Sequence, residues 1–316
     1  MRVAARAECK LCGSVGRTLY SDLHDRLFSA PGTWELKQCS NAGCGLIWLD
    51  PEPREEDVPL LYKNYYTHPS NGRASILQRA LHASYRTLLT GIRIRKERQK
   101  LQKLFVDELP PGGLLEVGCG SGKRLRLFKA LGWRVTGQDI DPMAGTEARD
   151  DIEVHIGPLD ELAHAGRRFD AIVINHVLEH VIDPVALLAL CRRMLRPRGS
   201  LVCVTPNAAS WGHRHFGRSW MSLDPPRHLS LFTPAALDRA ARMAGYQAAE
   251  IRTSCANVET FALGSVEIAA TGRYNMGRVP GWRSHVRAAL AQVRALREFV
   301  KNASSGDELI LRCQAP

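Results

Sequence analysis

Leu114-Leu115-Glu116-Val117-Gly118-Cys119-Gly120-Ser121-Gly122 reads as a buried strand that breaks into a glycine turn and opens a helix. Downstream, Leu125, Leu127, Phe128 and Leu131 supply the apolar face of that helix, which Gly132 stops. Val135 to Ile140 reads as a second strand ending in an acid, Asp139. Asp151 to Ile156 gives a weak third strand, and Phe169 to Ile174 is a continuous apolar run of the kind found in buried parallel strands. Asp183-Pro184 caps a helix running to about Leu195, Gly199 to Thr205 is a fifth strand, and Thr233-Pro234 caps a helix stopped at Gly245. Strands alternating with helices predict an α/β fold, a doubly wound parallel sheet. Glycines let the backbone approach a ligand at a helix N-terminus, and an acid ending the next strand suits ribose hydroxyls. The spacing is not Gly-x-Gly-x-x-Gly, which disfavours pyrophosphate recognition.

The remaining bulk properties narrow the class. At 316 residues, 45% hydrophobic and 24% charged, the chain is long enough for one α/β domain and a smaller module. Met1 to Lys10 holds no signal-peptide core and no apolar run is long enough for a bilayer, so a cytoplasmic location is expected. A net charge of +11 raises nucleic acid, anionic lipid or a phosphorylated substrate as partners. The excess gathers in Arg93 to Lys103 and Arg283 to Lys301. Both read as solvated helix faces, and no aromatic residues interleave with the first, as stacking on single strands requires.

Four of the nine cysteines form two close pairs, Cys9/Cys12 before Gly13 and Cys39/Cys44 before Gly45. Four soft ligands in two glycine-backed knuckles suit a tetrahedral Zn2+, against the alternatives of disulfides or unrelated thiols. Thr18 to Tyr20, Thr33 to Lys37 and Leu46 to Leu49 read as short strands, giving a small zinc-stapled β module over residues 1–50. No histidine or carboxylate has ligand spacing there, so the metal is expected to be structural. Residues 51–109 form a linker and helical lead-in, with Tyr62, Tyr65 and Tyr66 either lining a substrate mouth or packing as anchors, and Leu77 to Ile92 at helical spacing.

The run from Glu116 to Gly122, together with Asp139-Ile140-Asp141-Pro142 and Asn175-His176-Val177-Leu178-Glu179-His180-Val181, resembles the class I S-adenosylmethionine-dependent methyltransferases. The resemblance covers roughly residues 110–255 and 306–313. It implies a Rossmann-like seven-stranded sheet whose last strand, Asp307 to Cys313, is antiparallel. The knuckles ahead of it resemble a bacterial subgroup that includes nucleotide-sugar C-methyltransferases. The resemblance implies S-adenosyl-L-methionine as cofactor: Gly118, Cys119 and Gly120 along its methionine part, Glu116 bracing the turn, Asp139 on the ribose and Ile140 on the adenine. Asp160 is a looser candidate for the adenine edge, and Asn175 and His176 would stand beside the sulfonium.

A methyl acceptor must be aligned and deprotonated, which suits a histidine. The candidate bases are His228, His180 and His176. The resemblance aligns His228 and His180 with substrate-binding histidines of the sugar enzymes, where an acid precedes the first; here Arg227 stands in its place. Glu179 reads as structural, and His213 and His215, near Trp211 and Trp220, as a lid. The domain spanning 110–316 carries an insertion at about 256–305, in which Val286, Leu290, Val293, Leu296 and Val300 line one helix face and arginines another. That face is expected to pack on the domain itself, with membrane contact, capping of the acceptor pocket or a dimer contact as alternatives. The expected activity is methyl transfer to a small-molecule or glycan acceptor. The alternatives are an RNA methyltransferase, disfavoured by Asn-His-Val-Leu where base methylases carry Pro-Pro-aromatic, and a non-catalytic binding protein.

Overall fold

The computed structural model describes residues 2–62, 94–148, 151–275 and 280–316. Tyr65, Tyr66 and the helical spacing from Leu77 to Ile92 lie outside the described residues. Residues 94–102 are helical (α1) and lead into the first core strand.

Seven strands form the central sheet: β6 (Gly113–Val117), β7 (Arg134–Asp139), β8 (Glu153–Ile156), β9 (Phe169–Asn175), β10 (Leu195–Pro206), β12 (Ala249–Ser254) and β13 (Glu308–Gln314). Their order is β12-β13-β10-β9-β6-β7-β8. The registers from β10 through β8 are parallel, and β13 runs antiparallel to both its neighbours. Helices α2 (Lys123–Ala130), α3 (Leu159–His164), α4 (Pro184–Met194) and α6 (Pro234–Met243) join them, with a short α5 (Trp211–Phe216) after β10. Asp183 and Thr233 cap α4 and α6 by accepting from the backbone N–H of Ala186 and Ala236. β10 begins earlier than its sequence suggests: Leu195 already pairs with Phe169, and a bulge absorbs Pro197 and Gly199 before regular pairing resumes at Ser200.

Strand order reverses between β6 and β9, so the carboxyl ends of these two strands border the crevice where open α/β sheets take ligands. Apolar side chains cover both faces of the sheet. Leu115, Ile172, Ile174 and Leu201 pack under α4 and α6, while Leu114, Ala171, Val173 and Val202 pack under α1 and Phe128 of α2.

The N-terminal strands are β2 (Gly16–Leu23), β3 (Trp34–Cys39) and β4 (Ile47–Asp50), with β1 (Val3–Ala4) pairing β5 (Glu52–Pro53) at one side. A fourth strand in the β2-β3-β4 sheet comes from far along the chain: β11 (Ser230–Leu231) pairs antiparallel with β4. Cys9, Cys39, Cys44, Leu46 and Trp48 belong to the same apolar cluster as Ile172 and Phe232. Residue 50 therefore does not separate two cores.

Past β12, α7 (Val258–Thr271) and α8 (Trp282–Lys301) pack on each other before β13. The expectation for α8 is corrected here. Its buried face is Ala288, Ala289, Ala291, Gln292 and Ala295, while Val286, Leu290 and Val300 are exposed. Small side chains let α7 and α8 approach closely and turn the larger ones outward.

Candidate active site

At the end of β6 the chain turns on Gly118 and Gly120, both at positive φ. At Gly118 a Cβ would collide with Val177, so only glycine closes this turn against the loop after β9. Asp139, at the end of β7, fastens the turn: one carboxylate oxygen accepts from the N–H of Gly120 at 2.8 Å and the other from Asp141 at 3.0 Å. Glu116 is buried, and Arg124 of α2 donates to its Oε1 at 2.6 Å, while Oε2 has no partner. Burial, assisted by the charge of Asp139, raises its pKa against the pull of Arg124. Burial also pushes the Cys119 thiol up to about 12, so it is a packing group rather than a nucleophile. Ile140 and Met143 lie 62% and 60% exposed beside the end of β7. Two large apolar side chains open to water, a glycine turn and an orphaned carboxylate oxygen fit an adenosyl group with an amino-acid tail. Asp160 is exposed on the first turn of α3.

A cavity of about 270 Å³ lies by the end of β9, lined among others by Arg124, Asn175, His176, Asn257, Phe261 and Glu308. Asn175 ends β9, and His176 follows at φ 54°, an uncommon conformation for a non-glycine residue. Its imidazole stands between two buried carboxylates, 3.2 Å from Glu179 Oε1 and 3.1 Å from Glu308 Oε1. Burial opposes its charge, but the hydrogen bonds and charges of Glu179 and Glu308 win and hold its pKa at about 10. Glu179 is held reciprocally at about 2, since the bond and charge of His176 outweigh its burial. That charge sets His176 apart from His180 and His228 among the three candidate bases.

His180 and His228 differ in kind. Their rings meet edge-on with centroids 4.6 Å apart. His228 Nδ1 lies 2.7 Å from the carbonyl of Ser222, and His180 Nδ1 lies 3.2 Å from the carbonyl of Arg227 and 2.9 Å from Tyr62 Oη. A carbonyl only accepts, so each Nδ1 carries the proton and each Nε2 keeps its lone pair. Burial lowers both to about 4, assisted at His180 by the charge of His228. Both are neutral at pH 7. Glu179 completes a three-residue group with them, but its oxygens are already engaged by His176 and by Thr205 Oγ1 at 2.9 Å. The group therefore reads as a proton-accepting cluster and not as a cation site.

The loop carrying His228 supplies the acid that sequence comparison missed. Asp224 sits four residues earlier, its Oδ2 4.0 Å from His228 Nε2. Arg227 is fully buried and makes two bonds to Asp25, at 2.6 and 2.8 Å, a further pair with Asp224, and a stack 4.7 Å over the ring of Phe28. Asp25 also accepts from the N–H groups of Leu27, Phe28 and Ala30. Asp25, Asp224 and Glu308 lack any motif around them; only the i,i+4 spacing of Asp224 to His228 was available as a signal. The lid expectation is corrected as well: His213 is buried, stacks on Trp220 at 4.9 Å and reaches the carbonyl of Ala208 and the hydroxyl of Tyr20.

The four knuckle cysteines are free thiols. Their Sγ atoms all lie within 4.8 Å of one another, with Cys9–Cys44 at 3.7 Å and Cys12–Cys39 at 3.3 Å. Tetrahedral Zn–S bonds of about 2.3 Å put sulfurs about 3.8 Å apart, so the donor set fits Zn2+.

Comparison with known proteins identifies a methyltransferase domain in the chain. The family model described as a methyltransferase domain matches residues 89–251. A ubiquinone biosynthesis O-methyltransferase of Cereibacter sphaeroides (strain ATCC 17025) is 36% identical over 117 residues, covering 34% of this chain and 47% of that protein. Its namesake in Xanthomonas oryzae pv. oryzae (strain PXO99A) is 32% identical over 108 residues, covering 32% and 45%. The chain spans about half the length of the curated relatives it matches. Among solved structures, a SAM-dependent methyltransferase from Archaeoglobus fulgidus aligns at a TM-score of 0.47 and 16% identity, over 70% of this chain and 94% of that one.

Proposed function

Because the chain belongs to the methyltransferase-domain family, as an S-adenosylmethionine-dependent enzyme, we propose that it methylates a hydroxyl group of a small-molecule or glycan acceptor with His228 as base. The observation that carries the reading is the pair of neutral imidazoles, His180 and His228, each with Nδ1 tied to a carbonyl and Nε2 bare. When bound, S-adenosylmethionine supplies an electrophilic methyl group on a sulfonium sulfur. The Gly118–Gly120 turn and Asn175 would hold its methionine part, Glu116 and Arg124 would brace that turn, and Asp139 and Ile140 would take the ribose and adenine. His228 Nε2 would take the proton that the acceptor hydroxyl gives up as its oxygen is methylated. Asp224, 4.0 Å away, then stabilises the imidazolium. Bound Zn2+ would hold Cys9, Cys12, Cys39 and Cys44 in place and take no part in the chemistry.

The names of the curated relatives support oxygen as the methylated atom. RNA is the weaker acceptor. Within the basic cluster near residue 100, Lys100 pairs with Glu108, Lys103 pairs with Asp107, and Arg98 donates to the carbonyl of Ala256. Labelled cofactor assayed against hydroxylated small molecules, glycan extracts and RNA tests the reading. His228→Ala is expected to lower turnover about 10²–10⁴-fold with unchanged S-adenosylhomocysteine affinity. Full activity in that variant removes His228 as base, and transfer to RNA alone overturns the acceptor class.

A further inference from the structure

Helix α8 buries its small residues and exposes its large ones. Against α7 lie Ala288, Ala291 and Ala295, whereas Trp282 is 71% exposed, Val286 45%, Leu290 54% and Val300 85%. At 100° per residue these four fall on one stripe. Arg283, Arg287, Arg294 and Lys301 flank that stripe, with Arg297 within it. Only one acidic residue, Glu298, occurs on the helix, and it is taken by Lys301 at 2.9 Å. Arg283 lies over the ring of Trp282. No ion pair to Arg287, Arg294 or Arg297 occurs among the described residues. Two grooves run along the same face, of about 290 and 620 Å³. Phe216, Val266 and Ala269 line the first and Trp211 the second, with Arg294 on the rim of both.

We propose that this face of α8 docks the enzyme on an anionic phospholipid surface. Charge complementarity selects that occupant. A second copy of the chain would bring two strongly cationic faces together, which like-charge repulsion disfavours. A nucleic acid would satisfy the arginines but leave valine, leucine and the edge of tryptophan against a polyanion, with no aromatic platform for bases. A bilayer surface answers both halves: lipid phosphates pair with the arginines, and the apolar stripe enters the boundary between headgroups and acyl chains, where tryptophan is favoured. No helix among the described residues is long and apolar enough to cross a membrane, so the attachment is peripheral and reversible. α7 links the face to the active site, because Asn257, Thr260 and Phe261 at its start line the cavity beside His176. Docking thus holds that cavity at a fixed distance from the lipid surface, independently of which acceptor it takes.

Flotation of the full chain with phosphatidylcholine vesicles, with and without phosphatidylglycerol, tests this. Binding is expected only to the anionic vesicles and is expected to fall as salt rises. Arg287→Gln/Arg294→Gln should lower the partition coefficient about thirtyfold, as the loss of two basic residues near a charged surface implies. Leu290→Asp should abolish binding at any salt. Both variants change exposed side chains and should keep S-adenosylhomocysteine affinity, so failure here is separable from failure of the methyltransferase site. Absence of flotation, or unchanged partition in both variants, overturns the proposal. So does RNA binding that these variants weaken without any vesicle binding, or a dimer in light scattering that Leu290→Asp splits.

Discussion

His176, His180 and His228 lie within one small volume yet hold opposite charge states, and the carboxylate neighbours decide which. Two glutamates surround His176 and keep its proton to about pH 10, whereas burial, against the pull of the carbonyl hydrogen bonds, keeps the other two neutral down to about pH 4. The linkage signs follow. A folded pKa raised above the ordinary 6.5 makes the contribution of His176 complete below pH 6.5 and loses it as pH climbs toward 10. Folded values near 4 mean that His180 and His228 cost stability as pH falls from 6.5 toward 4, since the unfolded chain binds those protons more readily. The two windows meet near pH 6.5, where these three histidines together favour the fold most. In His176→Gln the alkaline fall between pH 7 and 10 should flatten while the acid fall persists; melting curves across that range check it, and an unchanged alkaline limb rejects the charged-His176 assignment. At the cofactor end, Asp139→Ala removes both the proposed ribose acceptor and the fastening of the Gly120 turn. S-adenosylhomocysteine affinity should drop at least tenfold by calorimetric titration, about 1.4 kcal/mol or more. Unchanged affinity would sink the cofactor reading.

Among the elements, those with local signals were legible and those made by distant pairing were not. Apolar runs bounded by glycine and proline marked β6, β7 and β9, and Asp183-Pro184 and Thr233-Pro234 marked the starts of α4 and α6. The glycine turn, Asp139 and the cysteine pairs were visible because each is a short-range constellation. Strand β11 was not, since two residues carry no periodicity and only their pairing with β4, about 180 residues earlier, defines them. The same holds for the Arg227–Asp25 bridge, which joins positions 202 apart. The buried alanine face of α8 was misread because hydrophobic periodicity assigns the large residues inward. These distant contacts carry a consequence for the metal. Cys44 enters β4 within three residues, β4 pairs with β11, and β11 begins two residues after His228; Thr233 Oγ1 also donates to the carbonyl of Cys44. Loss of Zn2+ should therefore loosen the His228 loop before the Gly118–Gly120 turn, which hangs on β6 and β7. Metal analysis should find about one zinc per chain. A chelated preparation, or Cys39→Ser, should lose turnover at least tenfold while keeping S-adenosylhomocysteine affinity within about threefold. Simultaneous loss of both would reject the separation.

For the whole molecule, the joint between the N-terminal strands and the main sheet resembles the inside of one domain more than a contact between two. Leu46 and Trp48 share a cluster with Ile172, and Leu36 and Leu49 share one with Trp220 and Leu229. Through this joint runs Arg227, fully buried, with Asp25 on one side and Asp224 on the other. Asp25 stays ionised at about 2 because the Arg227 hydrogen bond and loop N–H groups overcome its burial. Burial holds Asp224 up at about 6 against the charge of Arg227. Such a bridge gains little over a well-packed apolar substitute but is costly to break from one side, since a stranded buried charge costs about 3–5 kcal/mol. Arg227→Met should accordingly lower stability by about that amount, and the chain should still melt in one cooperative transition, because the cores on both sides of residue 50 are continuous. In Asp25→Asn/Arg227→Met/Asp224→Asn no buried charge is stranded, so most of the lost stability should return. Turnover should not, because the loop that aims His228 has lost its tie to Asp25. Calorimetry and steady-state assays of the two variants decide the matter: a separate low-temperature transition in Arg227→Met would mean the N-terminal strands fold alone, and restored turnover in the triple variant would mean the bridge is structural only.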